Sequence, residues 1–178
     1  LYDPGAASGA TRSTASHRWV VYDLDFETGA IRWSREIAAA VPQIERHLKN
    51  SFASETPVTD GERLYVYFGT IGLVAALDLT GEVLWRRELG VFNGRQRFGT
   101  AASPALHDGR LYVVNDNSTA SFLVALDAAT GDEVWRVERD EVENWATPLV
   151  WENDLRTEIV TAGLRRVRSY DLDGQLLW

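Results

Sequence analysis

The chain has 178 residues, with 18 Lys and Arg against 26 Asp and Glu and a net charge of −8, a balance that repels phosphate backbones and argues against a nucleic-acid partner. It has no cysteine, which excludes a disulfide, a thiolate zinc centre and a cysteine nucleophile, and no apolar run reaches the length of a membrane-spanning helix. It begins at Leu1 without a methionine anywhere, so a segment of a longer reading frame is expected.

Taken in order, almost every predicted element is a strand, because apolar residues alternate in short β-branched and aromatic runs between turn residues. A strand remnant is expected at Leu1–Asp3, then strands at Trp19–Asp25 and Ala30–Ile37. The long connection Ala38–Ser51 is expected to hold a short helix after Pro42, since proline suits a first helical turn. Strands follow at Thr56–Val58, Arg63–Gly69, Leu73–Asp78 and Val83–Leu89, and after the connection Gly90–Gly99 at Ser103–Leu106, Arg110–Asn115, Phe122–Asp127 and Asp132–Val137. The connection Glu138–Asn144 leads to Pro148–Trp151, Thr157–Thr161, Val167–Asp171 and Leu176–Trp178.

These strands fall into repeats. Gly-x-x-x-Trp occurs at Gly29–Trp33, Gly81–Trp85, Gly131–Trp135 and Gly174–Trp178, where chance would give about half of one such pair. Each copy follows a similar turn, carrying Asp25 and Thr28, Asp78 and Thr80, Asp127 and Thr130, or Asp171. A second marker keeps step with the first: Thr56-Pro57, Ser103-Pro104 and Thr147-Pro148. Four antiparallel strands per unit of about 40–50 residues is the dimension of a propeller blade. The reading is all-β: one partial propeller of about three and a half blades, with an incomplete blade and long loop at 1–50, blades at 51–99 and 100–144, and a last blade at 145–178.

The pattern Ala-x-Asp-x-x-Thr-Gly-x-x-x-Trp, complete at Ala125–Trp135, resembles the tryptophan-docking motif of the quinoprotein (PQQ-like) propellers. The other three copies depart from it by a substitution or a shorter turn, and the resemblance covers residues 17–178. It implies that Trp33, Trp85, Trp135 and Trp178 act as pegs on neighbouring blades. Asp25, Asp78, Asp127 and Asp171, with Thr28, Thr80, Thr130 and the glycines Gly29, Gly81, Gly131 and Gly174, then brace the turns. An Asp before a glycine turn can bond backbone N–H groups, so the residue chemistry agrees. The family's branches imply different roles: PQQ-dependent alcohol dehydrogenases, outer-membrane assembly proteins of the BamB kind, and secreted or sensor modules. The leading expectation is a non-catalytic scaffold, periplasmic or secreted, that binds a protein or small ligand, with no catalytic residue, metal or cofactor. The alternatives are a fragment of a PQQ-dependent dehydrogenase, with PQQ and calcium, or a sensor module.

No other chemistry stands out. Asp23-x-Asp25-x-Glu27 misses the calcium-loop spacing, and Asn115-Asp116-Asn117 reads as turn chemistry, with Asn117 opening a glycosylation sequon. His17, His47 and His107 are scattered over different repeats, and Arg165, Arg166 and Arg168 form a small basic spot read as solvated or salt-bridged. Propeller function usually lives on loops at one face. The connections between successive repeats all emerge on that face, and from them Asn50, Asn93, Arg95, Arg97, Asn144 and Trp145 are the candidates for a partner or ligand surface.

Overall fold

A computed structural model describes residues 9–178. Every regular element among them is a strand: β1 (Ala10–Thr11), β2 (His17–Leu24), β3 (Ile31–Ala40), β4 (Arg46–His47), β5 (Val58–Thr59), β6 (Arg63–Phe68), β7 (Leu73–Asp78), β8 (Val83–Glu88), β9 (Ala105–His107), β10 (Arg110–Asn115), β11 (Phe122–Asp127), β12 (Glu133–Glu138), β13 (Leu149–Glu152), β14 (Thr157–Ala162) and β15 (Val167–Tyr170). They form the antiparallel sheets β2-β3, β5-β6-β7-β8, β9-β10-β11-β12 and β13-β14-β15, four successive blades in an arc of a β-propeller. A fifth, two-stranded pairing joins β1 to β4.

Period-two alternation divides each blade between two cores. From the second blade, Val66, Phe68, Ala75 and Leu77 pack on Trp19, Val21 and Ile37 of the first. Their sequence neighbours Tyr65, Tyr67, Val74 and Ala76 face the other way, onto Leu111, Val113, Val124 and Leu126 of the third. The third blade then presents Tyr112, Val114, Leu123 and Ala125 to Ile159 and Tyr170 of the fourth. Because both faces are covered, β7 and β11 are almost continuously buried, whereas the outer strand β8 alternates half-buried with exposed. The first strands β5, β9 and β13 touch one another, which puts them on the inner side of the arc.

The repeated turns are built alike. Asp78 Oδ1 accepts N–H groups of Thr80 and Glu82 at 2.8 and 2.9 Å and the Thr80 hydroxyl at 2.7 Å. Asp25, Asp127 and Asp171 take N–H groups of their own turns in the same way. Three of the four repeat tryptophans then reach the turn of the next blade, whereas Trp178 Nε1 donates to Glu158 Oε2 of its own blade at 2.9 Å. Trp33 Nε1 donates to Leu79 O at 3.0 Å, Trp85 Nε1 to Ala128 O at 3.1 Å and Trp135 Nε1 to Leu172 O at 2.9 Å. The rings lie on the turn glycines so closely that a Cβ on Gly131 would sit 2.5 Å from Trp85 Cε3. Gly131 also has φ 77°, so the position rejects a side chain for two independent reasons. The Ser/Thr-Pro marker links the inner side: Thr56 N donates to Ser103 Oγ at 2.8 Å, and Ser103 N to Thr147 Oγ1 at 3.0 Å.

Three expectations need correction or comment. No helix follows Pro42; Ile44 is buried and the segment becomes β4. Its backbone serves neighbours instead of its own turn, with His47 N donating to Phe98 O and Leu48 N to Gly9 O. The stretch Leu176–Trp178 makes only one bridge, Tyr170 to Leu176, with two backbone bonds to Ser169, so the last blade has three full strands. The proposed remnant at Leu1–Asp3 lies outside the described residues.

Candidate functional site

Antiparallel order puts the inter-blade connections and the β6–β7, β10–β11 and β14–β15 hairpin loops at one end of the blades, opposite the aspartate-glycine turns. At this end the three connections are laced together. Phe98 stacks on Trp145 with ring centroids 6.1 Å apart and meets the His47 ring edge-on at 4.8 Å. Trp145 Nε1 donates to Gly99 O at 2.8 Å, and Asn50 Nδ2 donates to Phe98 O at 2.8 Å and Thr100 O at 3.3 Å. Asn144 Nδ2 donates to Asp116 Oδ2 at 3.1 Å and to Ala162 O, while its Oδ1 accepts Ala146 N at 2.9 Å. The structure therefore places Asn50, Asn144 and Trp145 half-buried inside the lacing, with their polar atoms engaged.

The other three candidates stand exposed on one short loop. Asn93 gives its carbonyl to Ser118 N at 3.3 Å and is itself exposed. Arg97 sits at φ 57°, unusual for a residue with a side chain, and pairs with Glu45 at 3.5 Å. Arg95 makes no ion pair among the described residues.

Two glutamates that sequence reasoning passed over hold this face in shape. Glu143 is buried, and its Oε2 accepts Gln96 N at 2.6 Å while its carboxyl packs on Gly94. Glu141, also buried, reaches the opposite way. It pairs with Arg168 at 2.7 Å, accepts Arg165 N at 3.2 Å and packs on Gly163. One connection thus grips the loop on either side of it. Below it lies a buried ion pair, Arg139 with Asp116 at 2.8 and 3.0 Å, both side chains fully enclosed. Arg139 further donates to Thr161 Oγ1 at 2.7 Å and Tyr170 OH at 2.9 Å, tying the third blade to the fourth.

The same contacts absorb the remaining sequence candidates. Asp116 is neutralised by Arg139, and Asn117 is buried with its amide bonded to Asn115 and Ala120, so the sequon nitrogen is inaccessible in the fold. Asp25 is held below its ordinary carboxyl range by Arg32 and by Thr28. Within the basic spot Arg168 is buried on Asp140 and Glu141, Arg166 pairs with Asp140, and Arg165 has no ion pair among the described residues. Glu55 is buried beside Gly69, whose N–H it accepts at 3.1 Å, and burial pushes its carboxyl above the usual value. Among the described residues no three His, Asp or Glu side chains converge as a cation cradle. No helix among them is long and apolar enough to cross a membrane.

Comparison with known proteins gives four matches of note. The family described as outer membrane protein assembly factor BamB matches residues 70–178. A polyvinylalcohol dehydrogenase of a Pseudomonas species is 26% identical over 155 residues, which is 75% of this chain and 23% of that protein. Two quinohemoprotein alcohol dehydrogenase structures share the fold, one from Comamonas testosteroni and one from Pseudomonas putida HK5. They have TM-scores of 0.59 and 0.58 and identities of 16% and 18%, with 89% of this chain and 31% of each of theirs aligned. The chain thus spans about a quarter to a third of the length of these three dehydrogenases.

Proposed function

The chain belongs to the propeller-repeat family of the outer membrane protein assembly factor BamB, and from that premise we propose that it is a non-catalytic scaffold that binds a polypeptide or small ligand on its loop face, outside the cytoplasm. The observation that carries this reading is the contrast within the loop face. Asn50, Asn144, Trp145, Glu141 and Glu143 spend their polar atoms fixing the connections. Asn93 and Arg95 stay exposed on a loop so fixed. A rigid platform with free polar side chains binds at little ordering cost. The tryptophans and turn aspartates serve the scaffold, since their contacts recur from blade to blade and a single catalytic centre would not recur. The family's description as an outer membrane assembly factor supports a location outside the cytoplasm.

A photo-crosslinking side chain at position 93 of the full-length protein, expressed in its own host, tests this. Position 62, exposed on the opposite turn face, is the control. Adducts from 93 and none from 62 are expected; adducts from 62 alone would reject the loop face.

A second reading, an arc of a quinoprotein dehydrogenase, is favoured by the polyvinylalcohol dehydrogenase match. It predicts that the full-length protein oxidises an alcohol when supplied with PQQ and calcium. Absence of turnover in the protein loaded with PQQ would reject it.

A further inference from the structure

On the loop face a groove of about 670 Å³ runs between the third and fourth blades. Arg95 and Gln96 line it from one loop, Leu164 and Arg165 from a second, and Val142 and Glu143 from the connection that bonds to both. Leu164 is 71% exposed, next in sequence to Arg165 and Arg166.

Several arginines of this face are paired, while Arg46 and Lys49 have no carboxylate partner among the described residues. Arg97 pairs with Glu45, Arg139 with Asp116, Arg166 with Asp140, and Arg168 with Asp140 and Glu141. Arg95 and Arg165 have no carboxylate partner among the described residues, although the chain carries eight more acids than bases. Their placement is built. Glu143 fixes Gln96 N, next to Arg95, and Glu141 fixes Arg165 N. The two anchors, two residues apart, hold the two loops. Glu141 is paired with Arg168, and Glu143 is buried against Gly94, with its Oε1 unpartnered and no ion pair to Arg95.

Resting on the loop-face reading above, we propose that this groove takes an extended polypeptide segment in which an aliphatic side chain is flanked by carboxylates. The aliphatic group packs on Val142 and Leu164, and the carboxylates meet Arg95 and Arg165. Guanidinium suits this role because it forms bidentate bonds to carboxylate and stays charged. Glu141 and Glu143 are positioning residues, acting through the Arg165 and Gln96 N–H groups they accept.

Fluorescence anisotropy on the full-length protein tests this with a labelled peptide of leucines flanked by glutamates. Two controls replace glutamate by lysine, or leucine by glycine. The glutamate–leucine peptide is expected to bind, with an affinity that falls as salt rises. Arg95→Ala and Arg165→Ala should each lower it about tenfold or more. Glu143→Ala should also lower it while leaving the melting temperature close to wild type, and Glu143→Gln, whose amide oxygen still accepts the Gln96 N–H, should restore it. Three results would overturn the proposal: no binding by the wild type, equal binding of the lysine peptide, or binding that survives both arginine substitutions. If adducts form from position 93 while the peptide fails, the groove assignment falls and the loop-face reading stands. If both fail, both fall.

Discussion

The junctions of the second blade with the third and of the third with the fourth both have apolar cores, but at the loop-face end the first is closed by a leucine and the second by an arginine, at the same backbone position. Leu89 and Arg139 each follow the outer strand of a blade, and each donates its N–H to a hairpin-loop carbonyl: Leu89 to Gly72 O at 2.7 Å, Arg139 to Ser121 O at 2.9 Å. Both residues are 6% exposed. At the first junction the leucine joins Tyr65, Tyr67 and Phe122 in the core. At the second the arginine binds Asp116, Thr161 and Tyr170. Main-chain geometry repeats, and the filling of the junction is free to vary. The polar filling lies under the connection whose glutamates shape the loop face. A buried ion pair adds little to net stability against an apolar filling, but it is costly to break by halves.

The comparison can be broken most forcefully at Arg139. Arg139→Leu leaves Asp116 buried without its partner and should cost about 3–5 kcal/mol in urea unfolding. Adding Asp116→Leu should recover much of that loss, because the junction then resembles the Leu89 one. A double variant no more stable than the single one would refute the equivalence. Next in size are the turn glycines. Gly131→Ala meets both a positive φ and the Trp85 ring, and should cost more than the roughly 1–2 kcal/mol of the backbone penalty alone. Gly29→Ala has the same sign of φ with nothing within 4 Å of the new methyl, and should cost only the backbone penalty. Equal melting temperatures in the two variants would show that the ring contact is unimportant. On the inner side, Ser103→Ala removes the acceptor for Thr56 N and should cost about 0.5–1.5 kcal/mol.

The smallest effect concerns pH. The Glu55 carboxyl is raised by burial, so its protonated form is favoured in the fold. Its contribution is fully present below its unfolded value and is lost as pH rises through the folded one. Glu55→Gln should therefore gain melting temperature on the wild type as pH rises from about 4.5 toward neutrality, the range above an ordinary glutamate's titration. A constant difference between the two across that range would exclude Glu55 as the source.

Much of the fold was legible because strand alternation and turn chemistry are local. Arg110–Asn115 and Phe122–Asp127 emerge with the bounds that their β-branched runs imply. The segment after Pro42 was misread because its conformation is set by contacts with Phe98 and Gly9, which no local propensity encodes. The candidate surface was only partly legible. Loop composition pointed to Asn93, Arg95 and Arg97 but could not separate them from Asn50, Asn144 and Trp145, whose polar atoms turn inward to the lacing. Glu141 and Glu143 sit in a charged run that resembles a solvated connector. Their roles depend on Gly94, Gln96 and Gly163, Arg165, which lie far away in sequence.

The most direct test of the loop-face account is hydrogen–deuterium exchange on the full-length protein, alone and bound to the partner captured from position 93. The account predicts slowed exchange at residues 90–99, 116–121, 139–145 and 163–166, with the turns at 60–62, 79–82, 108–109 and 128–132 unchanged. Protection confined to those turns would contradict it.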